Sequence, residues 1–146
     1  MRYLLVAVVV ALALVVAWLA KRRRPDAPVR TGYAVPEQLD RRDFARPDAP
    51  FLVAVFTSAT CDTCRDIVAK AAILESDVVA VHEAEYLRDK RLHERYRIEA
   101  VPTIVICDAE GTVHKSFLGP TSASHLWAAV ADVREPGSAP PGCGNH

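Results

Sequence analysis

The sequence predicts an α/β domain, a central mixed sheet flanked by helices, preceded by one N-terminal transmembrane helix. Three observations predict it. Between residues 37 and 133, short apolar runs rich in β-branched and aromatic residues alternate with stretches that repeat every three or four residues. A tight turn at Ala109-Glu110-Gly111 joins the last two apolar runs and makes that pair antiparallel. Tyr3 to Ala20 carries no charge at all.

The 146 residues suffice for one domain with its own core. The net charge of zero hides a segregation. Five of the 18 basic residues are Arg2, Lys21, Arg22, Arg23 and Arg24, while all 18 acidic residues lie further on. Beyond residue 24, 13 basic residues face 18 acidic ones, a net charge of −5. An acidic domain is ill suited to nucleic acid, and no nucleic-acid partner is expected.

Residues 1–24 read as a membrane anchor with a basic flank. The uncharged run over residues 3–20 spans about 27 Å as a helix, at about 1.5 Å per residue, against a bilayer core of about 30 Å. Tyr3 and Trp18 stand at its ends, where amphipathic rings favour the interface. A cleaved signal peptide is the alternative. Trp18 would then sit three residues before a cut after Ala20, where a small side chain is wanted, although Val15 and Ala17 offer a weaker site. The Lys21–Arg24 block places the domain in the cytoplasm by the positive-inside rule, as a single-pass protein of the cell membrane. The inverted topology would put the same domain outside. Residues 25–36 carry three prolines in the stretch "RPDAPVRTGYAVP" and read as a linker.

The domain, 37–133, opens with "EQLDRRDFA", a short helix ending before Pro47. "FLVAVFT", 51–57, suits a strand buried on both faces. A helix follows from Cys61, with Ile67, Ala71 and Leu74 on one stripe. "DVVAVHEAE", 77–85, is a second strand, and "YLRDKRLHERY", 86–96, a charged helix. "TIVIC", 103–107, and "TVHKSFL", 112–118, are two further strands. "TSASHLWAAVADV", 121–133, is a last helix capped by Thr121 or Ser122, with Leu126, Val130 and Val133 facing inward. The order gives a central parallel portion with an antiparallel hairpin at one side. Residues 134–146 read as a disordered tail.

The chemistry concentrates in Thr60-Cys61-Asp62-Thr63-Cys64. A C-x-x-C between a buried strand and a helix puts the first cysteine near unpaired N–H groups and the positive end of the helix dipole. Both lower its pKa and favour the thiolate that attacks a disulfide. The second cysteine, one turn further on, can attack the resulting mixed disulfide and release the partner. Ser58, Ala59 and Thr60 form the loop that exposes the first sulfur. Asp62 suits a first helical turn, but its charge opposes a Cys61 thiolate. Arg65, the nearest cation, partly offsets it. Downstream, Pro102 in "AVPT" fits a strand start, and an X-Pro bond is the common site of a cis peptide.

With these pieces, residues 37–133 resemble the thioredoxin family. "FLVAVFTSATCDTCR" is similar to its strand, active-site loop and helix start, and "ERYRIEAVPTIVICDAEGTVHKSFLGP" to its cis-proline segment and hairpin. The resemblance implies a thioredoxin-like fold with Cys61 as nucleophile, Cys64 as resolving thiol, Pro102 as cis-proline and Val101 as a substrate-backbone contact. It implies protein disulfide substrates and a separate electron donor or acceptor. Asp62, Thr63 and Arg65 are the candidate tuning residues. There are departures. Thr60 stands where the family has Trp, Asp62-Thr63 where it has Gly-Pro, and Val55 where it has a buried Asp. Glu83 falls near a family lysine. It is read as an exposed strand carboxylate, with a substitute proton acceptor as the alternative.

No cofactor, no metal and a monomer are expected. Three functions compete: a membrane-anchored thiol–disulfide oxidoreductase, a non-enzymatic adaptor that keeps the fold, and a metal-binding module. A structural zinc site usually needs four ligands, and no second C-x-x-C is present. Cys107 reads as core packing. Cys143, in the tail, has no assigned function. His82, His93, His114 and His125 read as surface or edge residues.

Overall fold

Phe51–Thr57 forms β1, and every residue after Phe51 is buried. The reason lies in its neighbours. Val79–Glu85 (β2) pairs with it in parallel, and Thr103–Cys107 (β3) pairs antiparallel along its other edge. Val113–Leu118 (β4) adds antiparallel to β3, so the order is β2-β1-β3-β4. A strand with partners on both edges and a layer on each face can be apolar throughout. The expected mixed sheet is present, but its parallel portion is the single β1–β2 pair.

This computed structural model describes Met1 and residues 34–138. The chain divides into two units, Met1–Thr31 and Gly32–His146, and the sheet belongs to the second. The expected anchor at 3–20, its basic flank, most of the linker and the end of the tail with Cys143 lie outside the described residues. Among the described residues no helix is long and apolar enough to cross a membrane.

Alternate residues of β1 face opposite layers. Val53 and Val55, with Ile104 and Ile106 of β3, pack under two helices, α1 (Cys64–Ala72) and α3 (Ala123–Arg134), through Ile67, Ala71, Leu126, Ala129 and Val130. Leu52, Ala54 and Phe56 face the other layer, which is closed by Leu39, Phe44 and Tyr96. Ser122 caps α3, its Oγ accepting from the His125 N–H at 3.2 Å, as its position before the apolar stripe suggests.

Two expected helices are shorter than their sequence pattern. The one at 37–45 is a 3-10 turn, Arg41–Asp43. Residues 37–39 are instead held extended against the β3–β4 turn. Leu39 N–H donates to Gly111 O at 2.9 Å, and Val113 N–H donates to Glu37 O at 3.0 Å. Asp40 then caps the turn through Oδ1 to the Arg42 N–H at 3.1 Å. The helix expected over 86–96 is α2, Lys90–Arg95 only. Its first residues are diverted because the Glu85 carboxylate takes the Leu87 and Arg88 N–H groups. The second strand likewise starts two residues late, since Ser76 and Val79 close a turn on each other.

Candidate active site

Beyond Thr57 the chain leaves the sheet and makes two successive turns. Cys61 N–H donates to Ser58 O at 3.0 Å, and Cys64 N–H donates to Cys61 O at 3.2 Å. The first turn is reinforced by the Ser58 and Thr60 hydroxyls, 3.1 Å apart. It is also tied to β2, whose Glu85 Oε1 accepts from the Ala59 N–H at 3.1 Å. The helix α1 begins only at Cys64, so the sequence expectation of a helix opening at Cys61 is corrected. Cys61 lies in the turn before the helix and Cys64 is its first residue.

The two cysteines are joined as a disulfide, with Cα atoms 5.4 Å apart. Cys61 is half-buried, while Cys64 is 3% exposed. An incoming group therefore meets Cys61 first. Around it, the N–H groups of Asp62, Thr63, Arg65 and Asp66 have no acceptor among the described residues. These are the free donors at the positive end of α1, whose first turn also carries the Asp66 carboxylate. Thr63 is the residue preceding α1, yet its hydroxyl caps no N–H; Oγ1 lies 3.6 Å from Cys61 Sγ.

Asp62 also lies before the helix rather than in its first turn, and its side chain is exposed. Among the described residues Arg65 forms no ion pair with it, so any offset acts through space rather than through a contact. Val101–Pro102 is a cis peptide bond, as the resemblance implied. The β1–β3 register pairs Phe56 with Thr103, which puts Pro102 at the same end of the sheet as the Cys61 turn. Pro102 is buried and half-buried Val101 precedes it. Val101 makes no backbone hydrogen bond among the described residues, while Pro102 O accepts from Gly119 N–H at 2.8 Å.

Glu83 is half-buried rather than exposed, and its Oε1 accepts from the buried Thr57 hydroxyl at 2.9 Å. The strand alternation puts it on the α1 face, beside Val55 in the β1–β2 register. His93 is corrected too. It is 3% exposed, with Nε2 2.8 Å from Ala84 O and its ring edge-on to Phe56 and Tyr86. Its position on a charged six-residue helix concealed this burial. Cys107 is a buried free thiol, as expected, and burial pushes its pKa up to about 11. It pairs with Leu52, at the far end of β1 from Thr57. Five strand positions amount to roughly 16 Å, so Cys107 cannot reach the Cys61–Cys64 pair. Among the described residues no three His, Cys, Asp or Glu side chains gather as metal ligands would.

Sequence reasoning missed Glu85. It accepts from Ala59, Leu87 and Arg88, and these N–H groups, that of Arg88 foremost, hold its carboxyl below the usual range. The available signal was its place as the last residue of a strand parallel to the one that carries the cysteine loop.

Solved structures similar to this chain include thioredoxin-fold proteins. A thioredoxin-fold protein from Helicobacter pylori is 13% identical, with a TM-score of 0.52 over 66% of this chain and 84% of that one. A mutant thioredoxin from Halobacterium salinarum NRC-1 is 20% identical, with a TM-score of 0.53 over 69% and 95%. The Deadhead thioredoxin of Drosophila melanogaster is 22% identical, with a TM-score of 0.52 over 60% and 84%. No protein-family model and no curated protein matches the chain. The chain has the thioredoxin fold, and its Cys61–Cys64 pair occupies the turn and helix start after the central strand.

Proposed function

We propose that this protein is a thiol–disulfide oxidoreductase that reduces protein disulfides through the Cys61–Cys64 couple. One observation carries the reading: a bonded cysteine pair, Cys61 half-buried and Cys64 buried, at the sheet end that also holds the unpaired Val101 backbone. An extended substrate segment can pair with Val101 and bring its disulfide to Cys61.

The geometry supports a two-step exchange. In the dithiol form, the Cys61 thiolate attacks one sulfur of the substrate disulfide. The substrate S–S bond breaks, a mixed disulfide forms, and the displaced sulfur leaves as a thiolate and takes a proton. Cys64, deprotonated, then attacks Cys61 Sγ. The mixed disulfide breaks, the second substrate thiol leaves, and two electrons have passed from the cysteine pair to the substrate. The product is the Cys61–Cys64 disulfide described above, which a separate dithiol donor must reduce again. Free N–H groups before and in the first turn of α1 favour the Cys61 thiolate. The Thr63 hydroxyl is close enough to donate to it, and Asp62 opposes it.

The reading includes a membrane anchor at residues 3–20 and a domain facing the cytoplasm, acting as a monomer. Its support is the uncharged run and the Lys21–Arg24 block that follows. A reducing compartment makes disulfide reduction the natural direction. Insulin reduction with dithiothreitol as donor tests the activity. Wild type accelerates it and Cys61→Ser does not; acceleration that persists in Cys61→Ser refutes the assignment.

A further inference from the structure

We infer that Glu85 is a positioning residue for the Cys61–Cys64 couple: its carboxylate bridges the turn that presents Cys61 to the loop that follows β2. The inference rests on the redox reading above. The β1–β2 ladder ends with Thr57 opposite Glu85, and Tyr86 N–H still donates to Thr57 O at 2.9 Å. Ala59 lies beyond the ladder and has no backbone partner there. Its N–H is held instead by Glu85 Oε1 at 3.1 Å, two residues before Cys61. The other carboxylate oxygen, Oε2, accepts from Leu87 at 3.0 Å and Arg88 at 3.1 Å. One side chain thus fastens two loops through opposite oxygens. Bonds from N–H to an ionised carboxylate are stronger than those between neutral groups.

The consequence belongs to the dithiol form. In the disulfide form the covalent ring itself restrains residues 61–64. Once it opens, the Ser58–Cys61 turn is held by its own hydrogen bonds and by Glu85. Freeing the turn gives the dithiol more conformations, all of which ring closure must remove. Glu85 therefore raises the equilibrium constant for closure, and it does so without touching either sulfur.

The test is equilibration of the full chain with glutathione. The dithiol plus glutathione disulfide gives the ring disulfide plus two glutathione thiols, a balanced two-electron exchange. Glu85→Gln keeps the size of the side chain but replaces one acceptor oxygen with an NH2 donor, so only one side of the bridge survives. The closure constant should fall by about fivefold in Glu85→Gln and at least as far in Glu85→Ala. Amide exchange at Ala59 in the reduced protein should rise by about tenfold in Glu85→Ala. Glu75→Gln is the control. That carboxylate accepts from the Val81 N–H at 2.6 Å, away from the site, and its loss should leave the closure constant unchanged. Two results overturn the inference. One is a variant that loses thermal stability with wild-type closure and wild-type Ala59 exchange, which would make Glu85 only a cap for Leu87 and Arg88. The other is an Ala59 amide already unprotected in reduced wild type. Closure needs no protein substrate, so it separates this inference from the proposed activity. Absent insulin reduction defeats the activity alone, and unchanged closure defeats the bridge alone.

Discussion

Three groups within a few residues compete to set the charge state of Cys61. In the proposed reading the unpaired N–H groups at the start of α1 and the Thr63 hydroxyl favour its thiolate, and Asp62 disfavours it. Asp62 is exposed and Arg65 makes no contact ion pair with it, so its effect is screened mainly by solvent. Asp62→Asn should lower the Cys61 pKa and make the couple more oxidising. Ultraviolet titration of the thiolate in the reduced protein checks this, and an equal or higher pKa in the variant contradicts it. Thr63→Val removes the hydroxyl 3.6 Å from Sγ and keeps the side-chain shape, so the same titration should move the other way.

The elements were legible in the sequence wherever one period dominated. The apolar runs at 51–57 and 103–107 are the strands β1 and β3, because both are buried on two faces. The stripe through Ile67 and Ala71 marked the buried side of α1. Legibility failed where a long-range pairing or a side-chain bond overrode the local pattern. Residues 37–39 are drawn out against Gly111 and Thr112, and Glu85 redirects 86–89. The first has no local signature, and the second is a local carboxylate turn that the helical pattern of 86–96 masked. The site showed the same split: the C-x-x-C and Val-Pro-Thr could be read, whereas Glu85 needed the β1–β2 register. Two variants test the packing of elements. Ile67→Ala should cost about 2–5 kcal/mol in urea unfolding, since Ile67 is fully buried between α1 and the sheet. Gly111 has φ 84°, and a Cβ there would lie 1.9 Å from Leu39 O. Gly111→Ala should destabilise by at least about 1–3 kcal/mol and loosen the 37–39 segment, and an unchanged unfolding midpoint would contradict that account.

The whole molecule should lose stability in alkali. Burial raises the Cys107 pKa from 9.0 to about 11. Burial and the hydrogen bond to Asp43 raise that of Tyr96 from 10.0 to about 12. Each group stays protonated in the fold at a pH where the unfolded chain has released its proton. Their contribution is therefore complete below pH 9.0 and falls as pH rises towards about 12. Thermal unfolding at a series of pH values should show a decline that begins above pH 9.0 and is reduced in Cys107→Ala. The proposed topology also belongs to this scale. A protease added to wall-stripped intact cells should spare a C-terminal tag if the domain is cytoplasmic.

The central claim is that Cys61 attacks and Cys64 resolves. It rests on the half-buried Cys61 and the 3% exposed Cys64. The most direct measurement is mass spectrometry of Cys64→Ser after incubation with a protein disulfide. Without its resolving thiol, the variant should accumulate a mixed disulfide through Cys61. Cys61→Ser under the same conditions should accumulate none. A mixed disulfide that forms through Cys64 in Cys61→Ser, or none in Cys64→Ser, would contradict the account.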